Sequence, residues 1–507
     1  MMAARQAQGP RLSELLAGMR GVLPVPDIAV HGLSLDSRKT RSGDLFLACA
    51  GSAGHGGDHV AAAVRAGAGG VLVDSDFPRP VLGTEGVPVY PVADLGAKAG
   101  LIAARFYGHP ARDLHVIAVT GTNGKTSVSH LSAQALSRSA GLRPCAVLGT
   151  VGYGLIGQLQ PATTTTPDPI ELHRRLFELR ARGAKALAME VSSHALHQAR
   201  TAGVEIDVAV LTNLSRDHLD YHGSMDAYAE AKRLLFQRPE LQAAVLNHDD
   251  PFGRDLARRL RPGVRGLAYG MREAEHIRSQ PGYILATALS TAAGGCALLL
   301  ETSFGAGRLE SRLFGRFNAY NLMAALGVLL VSGVPLAEAL EGLSRALPVP
   351  GRMECQGGHG GVPLVVVDYA HTPDALEQAL RCLREARSGR LVCVFGCGGE
   401  RDRGKRPLMG AVAEALADRV IVTNDNPRRE QPSAIIDQVL PGLRRPEQAL
   451  VEPDRANAIA AALDGLSEQD TVLIAGKGHE DYQDIGGERL PWSDREWVQY
   501  LIGGAAP

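Results

Sequence analysis

A β-branched run, Val116–Val119, ends in Thr120-Gly-Thr-Asn-Gly-Lys-Thr126, and a helical stretch from Ser127 to Ser139 follows. This junction constrains the fold more than any other feature. A glycine turn between a strand and a helix belongs at the C-terminal end of a strand in a layered α/β sheet. It is also where a phosphate-binding loop belongs. Backbone N–H groups and the helix N-terminus attract anionic oxygens, Lys125 reaches the outer phosphates, and the Thr126 hydroxyl suits Mg²⁺. Gly121, Thr122, Asn123, Gly124 and Ser127 complete the candidate nucleotide loop. The usual GxxxxGK[ST] spacing would put glycine at 119, where Val119 stands, so the loop is a variant form.

The chain has 507 residues, which predicts several domains rather than one core. Before Tyr107, short apolar runs alternate with glycine-rich turns, as in a small α/β unit. Gly108-His109-Pro110 marks a turn. Beyond it, strand candidates Cys145–Leu148, Ala186–Val191 and Val208–Thr212 alternate with helices, one opened by Asp168-Pro169. Such alternation predicts a largely parallel sheet covered on both faces. After Leu347-Pro-Val-Pro-Gly351 the alternation restarts, with strands expected at Leu364–Val367, Leu391–Phe395, Arg419–Val422 and Thr471–Ala475. The expected domains are therefore 1–109, 110–347 and 348–507. The last is Rossmann-like in layout but lacks GxGxxG after its first strand.

Lys and Arg number 53 against 54 Asp and Glu, a net charge of -1, which supplies no global field for nucleic acid or an anionic membrane. No apolar run reaches bilayer length, and Met1 to Arg20 lacks a signal-peptide core. Seven cysteines without a CxxC pair argue against a disulfide framework or zinc ribbon. A cytoplasmic, monomeric protein acting on small molecules is expected.

Further motifs follow the loop: Met189-Glu-Val-Ser-Ser-His194, Thr212-Asn-Leu-Ser-Arg-Asp-His-Leu-Asp-Tyr-His222, Gly315-Arg-Phe-Asn318, Asp368-Tyr-Ala-His-Thr-Pro-Asp374, Asp425-Asn-Pro-Arg428 and Gly476-Lys-Gly-His-Glu480. With the loop, they resemble the Mur ligases, ATP-dependent amide-forming enzymes of peptidoglycan precursor synthesis, in the family's own order. The resemblance runs from about residue 35 to 495. It implies a uridine-binding N-terminal α/β domain, a central P-loop ATPase-like parallel-sheet domain and a C-terminal amino-acid-binding domain.

The implied reaction adds meso-diaminopimelate to UDP-N-acetylmuramoyl-L-alanyl-D-glutamate through an acyl phosphate, with ATP as co-substrate and two Mg²⁺ ions. Bringing a carboxylate and a triphosphate together requires cations and dipoles placed in advance. The resemblance assigns Lys125, Glu190, His218 and Lys232 to catalysis, and Thr126, Glu190, His218 and Lys232 to Mg²⁺. Lys232 would act as a carbamate, which exchanges an ammonium for an oxygen ligand. By itself Lys232 reads as a solvated helix lysine and His218 as a lone structural histidine. Glu190 reads as the end of an apolar strand beside a sheet edge.

The resemblance also assigns Asn318 to the adenine, and Arg352 and Asp368 to the phosphates and ribose. Leu35 and Ser37 match uridine contacts, and the turn Ser52-Ala53-Gly54 aligns with a further contact segment. Thr164, Thr165 and Thr166, with Ser192, Gln198 and Arg200, match residues holding the muramyl peptide, although Thr164 stands where the family has asparagine. Asp425, Asn426, Pro427 and Arg428, with Arg401, Gly476 and Glu480, match the diaminopimelate site. There Arg428 suits the distal carboxylate, and Glu480 or Asp425 the distal ammonium. Three alternatives stand beside this reading: a lysine-adding counterpart, a folylpolyglutamate synthetase, and a nucleotide-gated binding protein without catalysis.

Overall fold

The computed structural model describes residues 9–19, 28–51, 54–84, 86–272, 274–292, 295–386 and 388–503. Among the described residues, three large sheets organise the chain, beside one two-stranded hairpin. The first is parallel, in the order Gly32–Ser34, Asp44–Ala48, Gly70–Asp74, Val89–Val92. Helix Leu95–Phe106 packs on it, with Leu95, Ile102 and Ala103 joining Leu45, Leu47 and Leu72 in one apolar cluster.

The second sheet has eleven strands. Its parallel centre runs Tyr283–Ala292, Arg265–Gly270, Ala243–Asn247, Val208–Leu211, His115–Thr120, Ala186–Glu190, Cys145–Leu148. Side chains alternate across this centre. Ile117, Val119, Val147 and Ala188 face one apolar cluster, while Val116, Ala118, Leu148 and Met189 face another. Both faces are therefore buried, which is why the strands read as unbroken apolar runs. Helices Lys125–Leu136 and Arg316–Val331 cover the first face, and Pro169–Ala181 contributes Leu172 and Leu176 to the second. Asp168 caps that last helix by accepting from Glu171 N–H at 3.0 Å.

The largely parallel sheet is as expected, and the expected place of Glu190 is corrected. The sheet carries antiparallel strands at both margins, Tyr153–Leu155 with Gln158–Gln160 and Gly295–Thr302 with Gly305–Ser311. Their connections are too short for a crossover, so pairing is antiparallel. Glu190, expected near an edge, ends an interior strand between His115–Thr120 and Cys145–Leu148. Its carboxylate is thus directed into the molecule and is 1% exposed.

The third sheet runs Glu354–Gly357, Leu364–Asp368, Thr471–Ala475, Leu391–Phe395, Arg419–Val422, Leu450–Val451, all parallel except the first pair. The last strand in sequence, Thr471–Ala475, is inserted between two earlier ones. The C-terminal ends of its neighbours therefore converge, and they carry Asp368, Arg401, Asp425–Arg428 and Gly476–Glu480 at one end of the sheet.

Candidate active site

The loop after His115–Thr120 is held from behind by the segment after Val208–Leu211. Thr122 N–H donates to Asn213 O at 2.9 Å and Asn123 N–H to Asn213 Oδ1 at 2.9 Å. The Thr212 hydroxyl donates to Asn123 O at 2.6 Å. Two glycines allow this closeness. A Cβ on Gly121 would lie 1.8 Å from Thr212 Oγ1, and one on Gly124, at φ +83°, 2.5 Å from Asn321 Oδ1. The Lys125 ammonium bonds Gly121 O and Thr122 O, each at 2.9 Å, and so lies across the loop.

Behind the loop, Glu190 gathers oxygen donors. Thr126 Oγ1 donates to Glu190 Oε2 at 3.0 Å. Thr150 approaches the same carboxylate twice, N–H to Oε1 at 2.7 Å and Oγ1 to Oε2 at 3.1 Å, and pairs with Thr165 Oγ1 at 3.0 Å. Lys232, on helix Met225–Arg233, is 1% exposed and donates to Gly121 O at 3.0 Å. Its ammonium also sits 4.4 Å from the Tyr228 ring centroid. Burial, then the Lys125 charge, push the Lys232 pKa well down from 10.5. His218, at φ +56°, lies 3.4 Å from Asp217. Burial outweighs that carboxylate and lowers the imidazole to about 3, so the ring is neutral.

Among the described residues, no group of three or more His, Cys, Asp or Glu side chains is arranged to hold a metal. The set at hand is one carboxylate, a threonine hydroxyl and a neutral imidazole. Magnesium is ordinarily held by one or two carboxylates together with substrate phosphates and water. The donors therefore fit an ion that arrives with a triphosphate. Lys232 fits only if its nitrogen carries an oxygen ligand, because an ammonium repels a cation.

The loop separates two cavities, of about 250 Å³ and about 310 Å³, which share Asn123, Gly124, Ser127, Arg352 and Tyr369 as walls. The second lies between the central and third sheets and is lined by Arg316, Phe317, Tyr320, Asn321 and Asp368. Asn318 stands behind this wall. Its amide donates to Phe314 O at 2.8 Å and accepts from Asn321 at 3.1 Å, which leaves Asn321 as the asparagine at the cavity. Asp368 accepts from Met353 N–H at 2.9 Å, and burial raises its carboxyl pKa. Asp374 reaches across to the loop, accepting from Asn123 Nδ2 at 2.9 Å.

The first cavity joins the loop to the third sheet. Lys125, Thr126, Glu190, Ser192, His218 and Lys232 lie on one side of it; Arg401, Asp425, Asn426, Arg428, Gly476 and Glu480 lie on the other. Asn426 donates to Glu480 Oε2 at 2.7 Å and accepts from the buried Lys477 ammonium at 2.8 Å. Gly476, at φ +117°, lets Asp425 approach; a Cβ there would fall 2.2 Å from Asp425 Oδ2. Arg428, itself at φ +52°, donates from NH1 to Gly399 O at 2.7 Å. Its backbone pairs with the hairpin Tyr482–Ile485 and Glu488–Pro491, donating to Asp484 O at 2.9 Å.

Some candidates lie off both cavities. Thr166 is buried, donates to Glu190 O at 2.9 Å and accepts from Ser192 N–H at 3.1 Å, so it braces the strand end. Arg200 holds Gln198 Oε1 at 2.6 Å and Thr166 O at 2.9 Å, and Gln198 in turn meets Tyr221 OH at 2.9 Å. Thr164 is exposed, and Pro427 is buried in the arginine loop. Leu35 packs partly on the N-terminal core and Ser37 is half-buried in the turn after Gly32–Ser34. Ser52 and Ala53 lie outside the described residues. Sequence reasoning assigned no role to Thr150, Tyr228, Lys405 or Lys477. Asp217, 3.8 Å from both Lys405 and His371, also links the second and third sheets' loops.

The chain matches the family models described as "Mur ligase family, catalytic domain" over residues 29–107, "Mur ligase middle domain" over 119–329, and "Mur ligase, glutamate ligase domain" over 351–478. It belongs to the Mur ligase family. Among its relatives is the UDP-N-acetylmuramoyl-L-alanyl-D-glutamate–2,6-diaminopimelate ligase of Coxiella burnetii, 46% identical over 96% of this chain and 98% of that protein. The like-named ligase of Pseudomonas putida is 49% identical over 92% and 94%. A solved structure of a ligase of that name matches 98% of this chain and 99% of its own at 35% identity, with a TM-score of 0.68.

Proposed function

We propose that this chain is an ATP-dependent ligase that joins meso-2,6-diaminopimelate to the D-glutamyl γ-carboxylate of UDP-N-acetylmuramoyl-L-alanyl-D-glutamate, in cytoplasmic peptidoglycan precursor synthesis. One observation carries the reading. The phosphate loop and the Asp425–Arg428 and Glu480 cluster line one cavity, so a phosphorylated carboxylate and an incoming amine meet there.

The carboxylate oxygen attacks the γ-phosphorus of ATP and ADP departs with the bonding electrons. The amine lone pair then attacks the acyl carbon, phosphate departs, and the nitrogen loses a proton. Lys125 and the loop N–H groups neutralise charge on the transferring phosphoryl group. Asn321, Phe317 and Asp368 bind the nucleoside end, and Arg352 supplies a cation from the third sheet's side. Thr126, Glu190, His218 and a Lys232 carbamate are the residues that would hold Mg²⁺. Bound there, Mg²⁺ would neutralise phosphate charge. Burial of Lys232 supports the carbamate, since only a neutral amine combines with CO₂.

At the acceptor side, Arg428 suits the distal carboxylate of diaminopimelate, and Asp425 and Glu480 its distal ammonium. Thr165 and Ser192, which line the cavity, would meet the acyl donor, and we assign Thr164, Thr166, Gln198, Arg200, Leu35 and Ser37 to the nucleotide-sugar path. Both halves of the cavity come from one chain, so a monomer would suffice for the reaction.

ADP release measured with each substrate omitted in turn tests the reading. Turnover should require ATP, the UDP-muramyl dipeptide and diaminopimelate together. Turnover satisfied by a folate and glutamate, or by nucleotide alone, would contradict it.

A further inference from the structure

Arg455 begins helix Arg455–Leu463, and its side chain is 1% exposed. The fork is bidentate to Asp494, which is 0% exposed: Nε meets Oδ1 at 2.7 Å and NH2 meets Oδ2 at 2.7 Å. Trp492 Nε1 donates to the same carboxylate at 2.8 Å. The remaining reach of the guanidinium goes to two main-chain carbonyls, Asn424 O at 3.1 Å and Ala475 O at 3.0 Å.

Those two carbonyls immediately precede Asp425 and Gly476. Ala475 ends the strand Thr471–Ala475 and Asn424 lies two residues past the end of Arg419–Val422, and the loops that follow form facing walls of the amino-acid side of the cavity. The walls also touch, for Gly476 leaves no room for a Cβ beside Asp425 Oδ2. Asp425 and Glu480, the two carboxylates offered to a distal ammonium, are near enough for their charges to favour the Arg455 guanidinium.

We propose that Arg455, oriented by Asp494, is a positioning residue for amino-acid recognition. It fastens both loops to one rigid point and so sets the spacing of Asp425 and Glu480. The proposal rests on the cavity's reading as an amino-acid site. A planar fork with several fixed donors can do this; a single ammonium cannot hold both carbonyls and a carboxylate in the same geometry. Small misplacements of binding groups are costly, on the order of a hundredfold for about 1 Å.

The test compares KM values and thermal midpoints in the whole enzyme. The wild type is first assayed for the amino acid it ligates, which decides the substrate reading by itself, and the variants are then measured with that amino acid. In the paired variant Arg455→Met with Asp494→Leu, both charges vanish together, so packing is largely kept. Its KM for the amino acid should rise roughly tenfold or more while the KM for ATP stays near wild type. Asp494→Asn keeps both carbonyl contacts; it should lower the thermal midpoint more than the paired variant yet shift the amino-acid KM less. A purely structural role predicts the reverse, with KM following stability across the set, and that result overturns the proposal. If the paired variant does not fold, Arg455→Lys decides. A raised amino-acid KM with unchanged ATP KM supports the proposal, and a wild-type amino-acid KM overturns it.

Discussion

The Arg352 guanidinium donates to the Thr126 hydroxyl at 2.9 Å, joining the start of the third sheet's unit to the phosphate loop of the second. The same guanidinium lies 4.5 Å from the Tyr369 ring centroid, on the segment that follows Asp368. One cation thus connects the loop that receives the nucleotide to the unit that carries the amino-acid loops. Arg352→Ala should raise the KM for ATP by about ten- to a hundredfold, the worth of one charge-assisted contact of about 1.5–3 kcal/mol. Steady-state kinetics with the amino acid saturating measure it.

Lys125→Ala removes the ammonium that lies across the loop. Loss of one preorganised donor typically costs ~10²–10³ in rate, and a cationic one more. The variant should fold, since its partners Gly121 O and Thr122 O are loop carbonyls that water can satisfy. Near-normal ADP release by the folded variant would remove residues 121–126 from phosphate binding.

Lys232→Ala should be nearly inactive and regain some activity with formate or acetate, which replace the carbamate oxygens. Lys232→Arg should stay inactive, because guanidinium forms no carbamate. Turnover with and without added carboxylate reads it directly. Full activity in Lys232→Arg would contradict the carbamate.

Glu430 ties the Arg401 loop to the Arg428 loop by holding both terminal nitrogens of the buried Arg406 at 3.0 Å. The Arg406 hydrogen bonds, against burial, lower its carboxyl from 4.5 to about 2. A carboxylate depressed in the folded state stabilises the fold fully above its unfolded value and loses that contribution as pH falls through the folded one. The thermal midpoint should therefore drop between pH 4.5 and about 2. Glu430→Gln should be less stable at neutral pH and show a shallower acid limb.

Much of this was legible in the sequence for physical reasons. Parallel strands buried on both faces announce themselves as apolar runs, and the strands Leu391–Phe395, Arg419–Val422 and Thr471–Ala475 coincide with theirs. The phosphate loop is contiguous, so its parts could be read together. Thr150 and Lys405 are single polar residues whose charged partners, Glu190 and Asp217, lie far along the chain, and nothing local distinguishes them. Asn318 and Asn321 are one turn apart on helix Arg316–Val331, so spacing alone does not tell which faces the cavity. The place of Glu190 depended on strand order, and residues 145–148, paired beside it, come earlier in the chain.

Lysine and meso-diaminopimelate share a chain and a distal amine, and only diaminopimelate has a distal carboxylate. Arg428 facing that carboxylate gains a charge-assisted hydrogen bond; facing lysine, it meets a second positive charge. A desolvated charge pair broken from one side costs ~2–5 kcal/mol, so discrimination of about a hundredfold or more is expected. The decisive measurement is the ratio of kcat/KM for meso-diaminopimelate to that for L-lysine in the wild-type enzyme, repeated in Arg428→Ala. The account predicts a wild-type ratio of about a hundred or more that falls steeply in the variant while the KM for ATP holds. A wild type that prefers lysine, or a variant with an unchanged ratio, would contradict it.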